Sequence, residues 1–181
     1  GMRVVAPDLP GRAGSVRTPA GPGLPGHAQA VLRVADELAL RDVVLVGHSM
    51  GAFLSPLVAE KLGDRVRRVV LLDGGVAPDR SPLLGKPVVR AIFWAAARRL
   101  DRRWRDLDSY AKAAEGDAIA NRPDLHPAML EWAGYMLAGP PGAQRPRIDR
   151  KRLVADAADA LAGPPTLGAL AGGDVAVHAI A

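Results

Sequence analysis

Apolar positions in the first part of this chain come in short blocks separated by helical spacing. Val43-Val44-Leu45-Val46 is a run of four aliphatic residues, three of them β-branched, and predicts a short buried strand. Ala52 to Leu62 then predicts a helix, in which Pro56 removes an intrahelical hydrogen bond and implies a kink or an early 3₁₀ turn. Upstream, Arg3-Val4-Val5-Ala6 predicts a strand that breaks at Pro7, followed by a turn-rich loop over residues 8–15 and a Gly/Pro-dense connector to Pro25. From His27, the residues Ala28, Val31, Leu32, Ala35, Leu38 and Ala39 fall on one side of a helix. Residues 65–74 predict a further strand. Strand, helix, strand, helix, strand is the order of a parallel sheet with crossover helices, so the fold class is α/β.

Beyond residue 78 the rhythm changes. Helical stretches are expected over 87–108, 109–121, 127–138 and 149–162, separated by Pro and Gly. In the first, Val89, Phe93, Ala96, Leu100, Trp104 and Leu107 recur at three- and four-residue steps as one apolar stripe. The aromatic residues of this region are expected to pack it, with one or two facing a pocket. Three segments follow: a core over 1–77, a helical segment over 78–160, and a return to the core over 161–181.

Composition narrows the function classes. With 181 residues and 49% hydrophobic ones, the chain has enough apolar material for a real core. It has no cysteine, which removes disulfides, thiolate metal sites and cysteine nucleophiles. No apolar run approaches the roughly 18 residues of a membrane span, and no signal peptide is visible. The expectation is a cytoplasmic protein without a membrane partner. The net charge of +5 raises the question of nucleic acid. The densest cluster (Arg98, Arg99, Arg102, Arg103 and Arg105) lies on the helix faces that the apolar stripe leaves to solvent, and no nucleic-acid motif accompanies it. Nucleic acid is therefore rejected as a partner.

The chemistry concentrates in Gly47-His48-Ser49-Met50-Gly51, between the strand and the helix. A serine on so sharp a turn adopts a strained backbone, so its neighbours favour glycine. Turned outward, Ser49 is reachable by a base and a substrate, and the Met50 N–H at the helix start points at a developing oxyanion. No metal-ligand spacing such as H-E-x-x-H occurs.

The blocks Val-Val-Ala-Pro-Asp-Leu-Pro-Gly-Arg-Ala-Gly-Ser (4–15), Asp-Val-Val-Leu-Val-Gly-His-Ser-Met-Gly (42–51) and Arg-Val-Arg-Arg-Val-Val-Leu-Leu-Asp-Gly (65–74) resemble α/β-hydrolase-fold enzymes of the esterase, lipase and haloperoxidase-like kind. The resemblance implies a mostly parallel sheet with flanking helices, incomplete at both ends, and makes residues 78–160 a helical cap. It implies hydrolysis of small carboxylic esters or related acyl substrates through an acyl-serine, with no cofactor and no metal. Ser49 would be the nucleophile, with Gly47, His48, Met50 and Gly51 forming the elbow. The acid would be Asp174, after a proline-led strand, or Asp73, at the end of the preceding strand. Of the four histidines, His27 reads as a helix-end or pocket-rim residue and His126 belongs to the cap. Only His178 follows both acids, but it stands four residues past Asp174, where the family leaves a helix and a strand. The expected reading is a truncated member lacking its base and one oxyanion loop, unless His178 serves. A catalytically dead remnant or binding protein is the alternative. An acyltransferase, a C–C hydrolase or a cofactor-free haloperoxidase-like enzyme is another. The implied partners are a small, partly apolar substrate and, through exposed sheet edges, other copies of the chain.

Overall fold

The computed structural model describes residues 1–75, 85–120, 122–164, 166–170 and 175–180, the side chains of 115–120 excepted. Helix α1 (Gly23–Glu37) leads to strand β1 (Val43–His48), helix α2 (Met50–Leu62) and strand β2 (Val66–Leu72). Helices α3 (Lys86–Ala96), α4 (Leu107–Ala120) and α5 (His126–Met136) follow. A two-residue pair, β3 (Leu137–Ala138) with β4 (Arg145–Pro146), precedes helix α6 (Arg150–Ala162) and strand β5 (Ala176–Ile180).

The main sheet has the order β1-β2-β5, and both pairings are parallel. Its register runs from Val44↔Arg68 to His48↔Leu72, and from Arg68↔Ala176 to Leu72↔Ile180. Because strand side chains alternate, Val69 and Leu71 point to one face and are buried against Ala52, Phe53, Val58 and Leu62 of α2. Each such burial stabilises by roughly 1.5–3 kcal/mol relative to exposure. Helices α1 and α6 pack on α2, so this layer grows outward from one side of the sheet. The other face is open: Val44, Val46 and Ile180 are 49%, 62% and 59% exposed.

Three sequence expectations change here. Residues 3–6 form no strand; they run along the surface with Val4 84% exposed. An extended segment becomes a strand only where a neighbour supplies its ladder, and none of the described residues pairs with it. The helix expected over 87–108 stops at Ala96, passes through a 3₁₀ turn over Ala97–Asp101, and leaves the helical path at Arg102. Trp104 departs because its backbone pairs with Gln144 in an antiparallel bridge and its ring is buried edge-on against Tyr110, 5.2 Å between centroids. Tyr110 stacks in turn on Trp132, which ties α4 to α5. In α2, Pro56 is accommodated without a 3₁₀ turn: the helix is α throughout and the ring is buried.

Helix α4 begins on a side-chain cap. Asp106 Oδ1 accepts from the Ser109 N–H at 2.8 Å, and Arg105 Nε donates to Asp106 Oδ2 at 2.8 Å. The Arg105 hydrogen bond first, then those from Ser109, hold the Asp106 carboxyl down to about 2 from its ordinary 3.8. The cap therefore contributes fully above pH about 4 and is lost as pH falls through about 2. A carbon-detected NMR titration should find the Asp106 midpoint near 2, and Asp106→Ala should remove that step from the acid unfolding curve.

Candidate active site

Ser49 follows the last residue of β1 and precedes the first of α2, with φ 52° and ψ −117°. This is a sparsely populated conformation for a residue with a side chain, and it persists only where the surroundings fix it. They do so from three directions. The Ser49 N–H donates to Leu72 O at 2.9 Å, and the Ala52 N–H donates to Ser49 O at 3.0 Å. At Gly47, a Cβ would stand 2.2 Å from Gly51 O and 2.5 Å from Ser55 Oγ, so the chain can fold back this closely only without one. At Gly74, a Cβ would meet Ser49 O at 2.7 Å, so the turn after β2 is pressed directly against the Ser49 backbone. Gly51 is different. A Cβ there has nothing within 4 Å, and no contact demands its glycine. The Ser49 side chain is left exposed. Met50 is the first residue of α2, so its N–H belongs to the first-turn donors that no carbonyl of the helix can reach. Together these make an outward hydroxyl beside a free backbone donor at the positive end of a helix.

Asp73 follows β2 and is the carboxylate brought nearest to the elbow among the candidates described. Its φ is +45°, its N–H donates to Ile180 O at 2.9 Å, and its Oδ2 lies 3.9 Å from His48 Nε2. Both side chains are largely in water, at 86% and 69% exposure. Asp174 lies outside the described residues. The strand expected ahead of it is replaced by a 3₁₀ turn over Leu167–Leu170, and the strand of this region is β5, which starts at Ala176. Gly168 and Ala169 lack the bulk that favours a strand.

His178 sits in the middle of β5, level with Val70 and, beyond it, Val46. Three residues of strand rise and two strand spacings put its Cα about 14 Å from that of Ser49. The structure does not bring these two side chains together. His126 begins α5 with Nε2 3.2 Å from Asp108 Oδ1, within the α4–α5 pair.

His27 is no rim residue. It is fully buried, with Nε2 2.8 Å from Oδ2 of Asp156, itself fully buried on α6. Arg12 completes the cluster, its Nη1 2.9 Å from the same oxygen. Sequence reasoning missed this group. No single apolar stripe marks it: α6 is buried on two sides, Val154 with Ala158 on one and Asp156 with Ala160 on another. Among the described residues, no group of three or more His, Asp or Glu side chains is arranged to hold a metal ion. None of the helices described is long and apolar enough to cross a membrane.

A parallel sheet with flanking helices and a serine on the strand-to-helix turn defines a protein of the α/β-hydrolase fold. A family model described as "Alpha/beta hydrolase family" matches residues 1–181, and the chain belongs to that family. Among solved structures it is similar to E-2-(acetamidomethylene)succinate hydrolase, with 22% identity and a TM-score of 0.66 over 95% of this chain and 60% of that one. It is also similar to a hypothetical protein of Pseudomonas aeruginosa PAO1, with 26% identity and a TM-score of 0.63–0.64 over 95% of this chain and 61% of that one. A "putative non-heme haloperoxidase" of a Mycobacterium phage is 28% identical over 109 residues, 59% of this chain and 38% of the phage protein. The chain thus spans about three fifths of the length of these structures and less of the phage relative.

Proposed function

We propose that this chain carries the nucleophile of a serine-dependent hydrolase acting on small carboxylic esters or related acyl substrates. The observation that carries the reading is the Ser49 backbone, held at φ 52° with its hydroxyl exposed at the start of α2. In that reaction Ser49 Oγ attacks the carbonyl carbon and gives its proton to a base. The Met50 N–H stabilises the oxyanion, the leaving alcohol takes the proton, and water then hydrolyses the acyl-serine. Gly47, His48 and Gly51 complete the elbow. Asp174, or Asp73 with its Oδ2 3.9 Å from His48 Nε2, is the acid. Of residues 78–160, read from the sequence as a cap, α6 packs on α2 with the core, and α3 to α5 act as the lid; the part-exposed Trp94, Trp132 and Tyr135 suit a partly apolar substrate. The open sheet face and edges favour self-association.

A second reading rests on the distance of His178 from Ser49: the elbow is retained and turnover is not, leaving a binding protein on a hydrolase frame. Haloperoxidase-like chemistry, named for the phage relative, and acyl transfer or C–C hydrolysis use the same elbow. The discriminating experiment is covalent labelling with a fluorophosphonate on protein shown by circular dichroism to be folded, with Ser49→Ala as the control. Adduct confined to the Ser49 peptide supports the first reading and requires that a base reach it. No adduct on folded protein supports the second.

A further inference from the structure

Asp156 and His27 are fully buried and in ion-pair contact, and the proposed serine chemistry leaves them unused. Four elements meet there: the 8–15 loop through Arg12, α1 through His27, α6 through Asp156, and the start of α2 through Met50. The Arg12 guanidinium spans them. Nη1 is 2.9 Å from Asp156 Oδ2 and 3.3 Å from Pro10 O, while Nη2 is 3.2 Å from Met50 Sδ. We propose that Arg12, fixed by Asp156 and His27, is a positioning residue that sets where the Met50 N–H points; this rests on the serine-hydrolase reading, in which that N–H meets the oxyanion.

Three observations support it. First, the base of the Arg12 side chain cannot drift. The Arg12 N–H donates to Leu9 O, Ala13 N to Arg147 O at 2.7 Å, and Asp149 N to Gly11 O at 2.8 Å. The loop is thereby stitched to the segment that starts α6, where Asp149 caps the helix by accepting from Arg152 N. Second, the guanidinium is a planar fork whose N–H directions are fixed relative to each other. A carboxylate on one prong and a thioether on another therefore hold a set separation. Third, Met50 follows Ser49, whose conformation is sparsely populated and needs over-determination by its neighbours. The contacts of Gly47 and Gly74 constrain the turn from its strand side. Arg12 on Met50 constrains it from the helix side, at the residue whose amide matters.

The test uses Arg12→Lys and Met50→Leu in the full chain. It reads the rate of fluorophosphonate labelling at Ser49, the thermal midpoint, and the ¹⁵N–¹H signal of the Met50 amide. Lysine keeps the charge beside Asp156 but is a single point, unable to serve both contacts. The expected result for Arg12→Lys is a midpoint near that of the wild type, labelling slowed about tenfold, and a displaced Met50 amide signal. That is a fraction of the loss on removing an oxyanion donor outright. Met50→Leu should slow labelling similarly while the Arg12–Asp156 pair stays intact, and it decides the matter if Arg12→Lys proves unstable. Wild-type labelling rates in both variants, with an unmoved Met50 amide in Arg12→Lys, would overturn the proposal and leave Arg12 a purely structural ion-pair partner. If the wild type itself does not label, the serine-hydrolase reading fails, and the amide still decides. Displaced in Arg12→Lys, it supports positioning of the N–H; unmoved there, it overturns it.

Discussion

Asp156→Ala is expected to destabilise the fold by about 3–5 kcal/mol, read as a lowered midpoint in urea unfolding. The carboxylate is fully buried, with its Oδ2 within 3 Å of both His27 Nε2 and Arg12 Nη1. Truncation leaves a guanidinium only 20% exposed without its carboxylate partner, and a fully buried imidazole facing a cavity. The penalty comes mainly from that uncompensated charge, because a buried pair as a whole is near break-even against apolar packing. The two-site variant Arg12→Met with Asp156→Leu should therefore be more stable than Asp156→Ala alone. Equal midpoints for Asp156→Ala and wild type would mean that the cluster exchanges readily with water.

Gly47→Ala is the second large effect, expected at about 3 kcal/mol with loss of Ser49 labelling. Its Cβ would lie 2.2 Å from Gly51 O and 2.4 Å from Gly51 C. These are backbone atoms of a helix packed in the core, so the collision is relieved only by moving α2 off β1. The comparison variant is Gly51→Ala, which meets nothing within 4 Å and replaces glycine within a helix. It should be neutral or stabilising by about 0.5 kcal/mol. A pair of glycines that looks symmetrical in the sequence is thus asymmetrical in energy, and paired melting curves measure the difference.

Much of the fold around Ser49 is legible in the sequence, because its determinants are local. Four aliphatic residues, a glycine-flanked serine and a helical run name β1, the turn and α2 without reference to the rest of the chain. What is not legible depends on distant partners. Asp156 lies 144 residues from Arg12, and periodicity carries no information about a contact of that span. β5 is unmarked because all five of its residues are exposed, so no alternation of buried and open positions betrays it. Arg3–Ala6 has the composition of a strand but no neighbouring ladder, and composition alone does not make one. The end of α3 at Ala96 has no Pro or Gly to announce it; the backbone bridge from Trp104 to Gln144 draws the chain away a few residues later. For the site, the elbow and Asp73 are readable as neighbours of strand ends. The separation of His178 from Ser49 emerges only from strand register.

The position of β5 also bears on how firmly the turn beside Ser49 is held. Local opening begins where backbone is solvent-exposed and few apolar contacts hold it. Every residue of β5 is exposed, whereas β2 is flanked on both sides and backed by α2. When β5 frays, Asp73 loses the acceptor of its N–H, Ile180 O. The Asp73–Gly75 turn that presses on Ser49 O and Ala52 O is then tethered at one end only. The lifetime of the strained serine conformation is therefore tied to the closing rate of β5, and anything that clamps Ile180 in place would lengthen it.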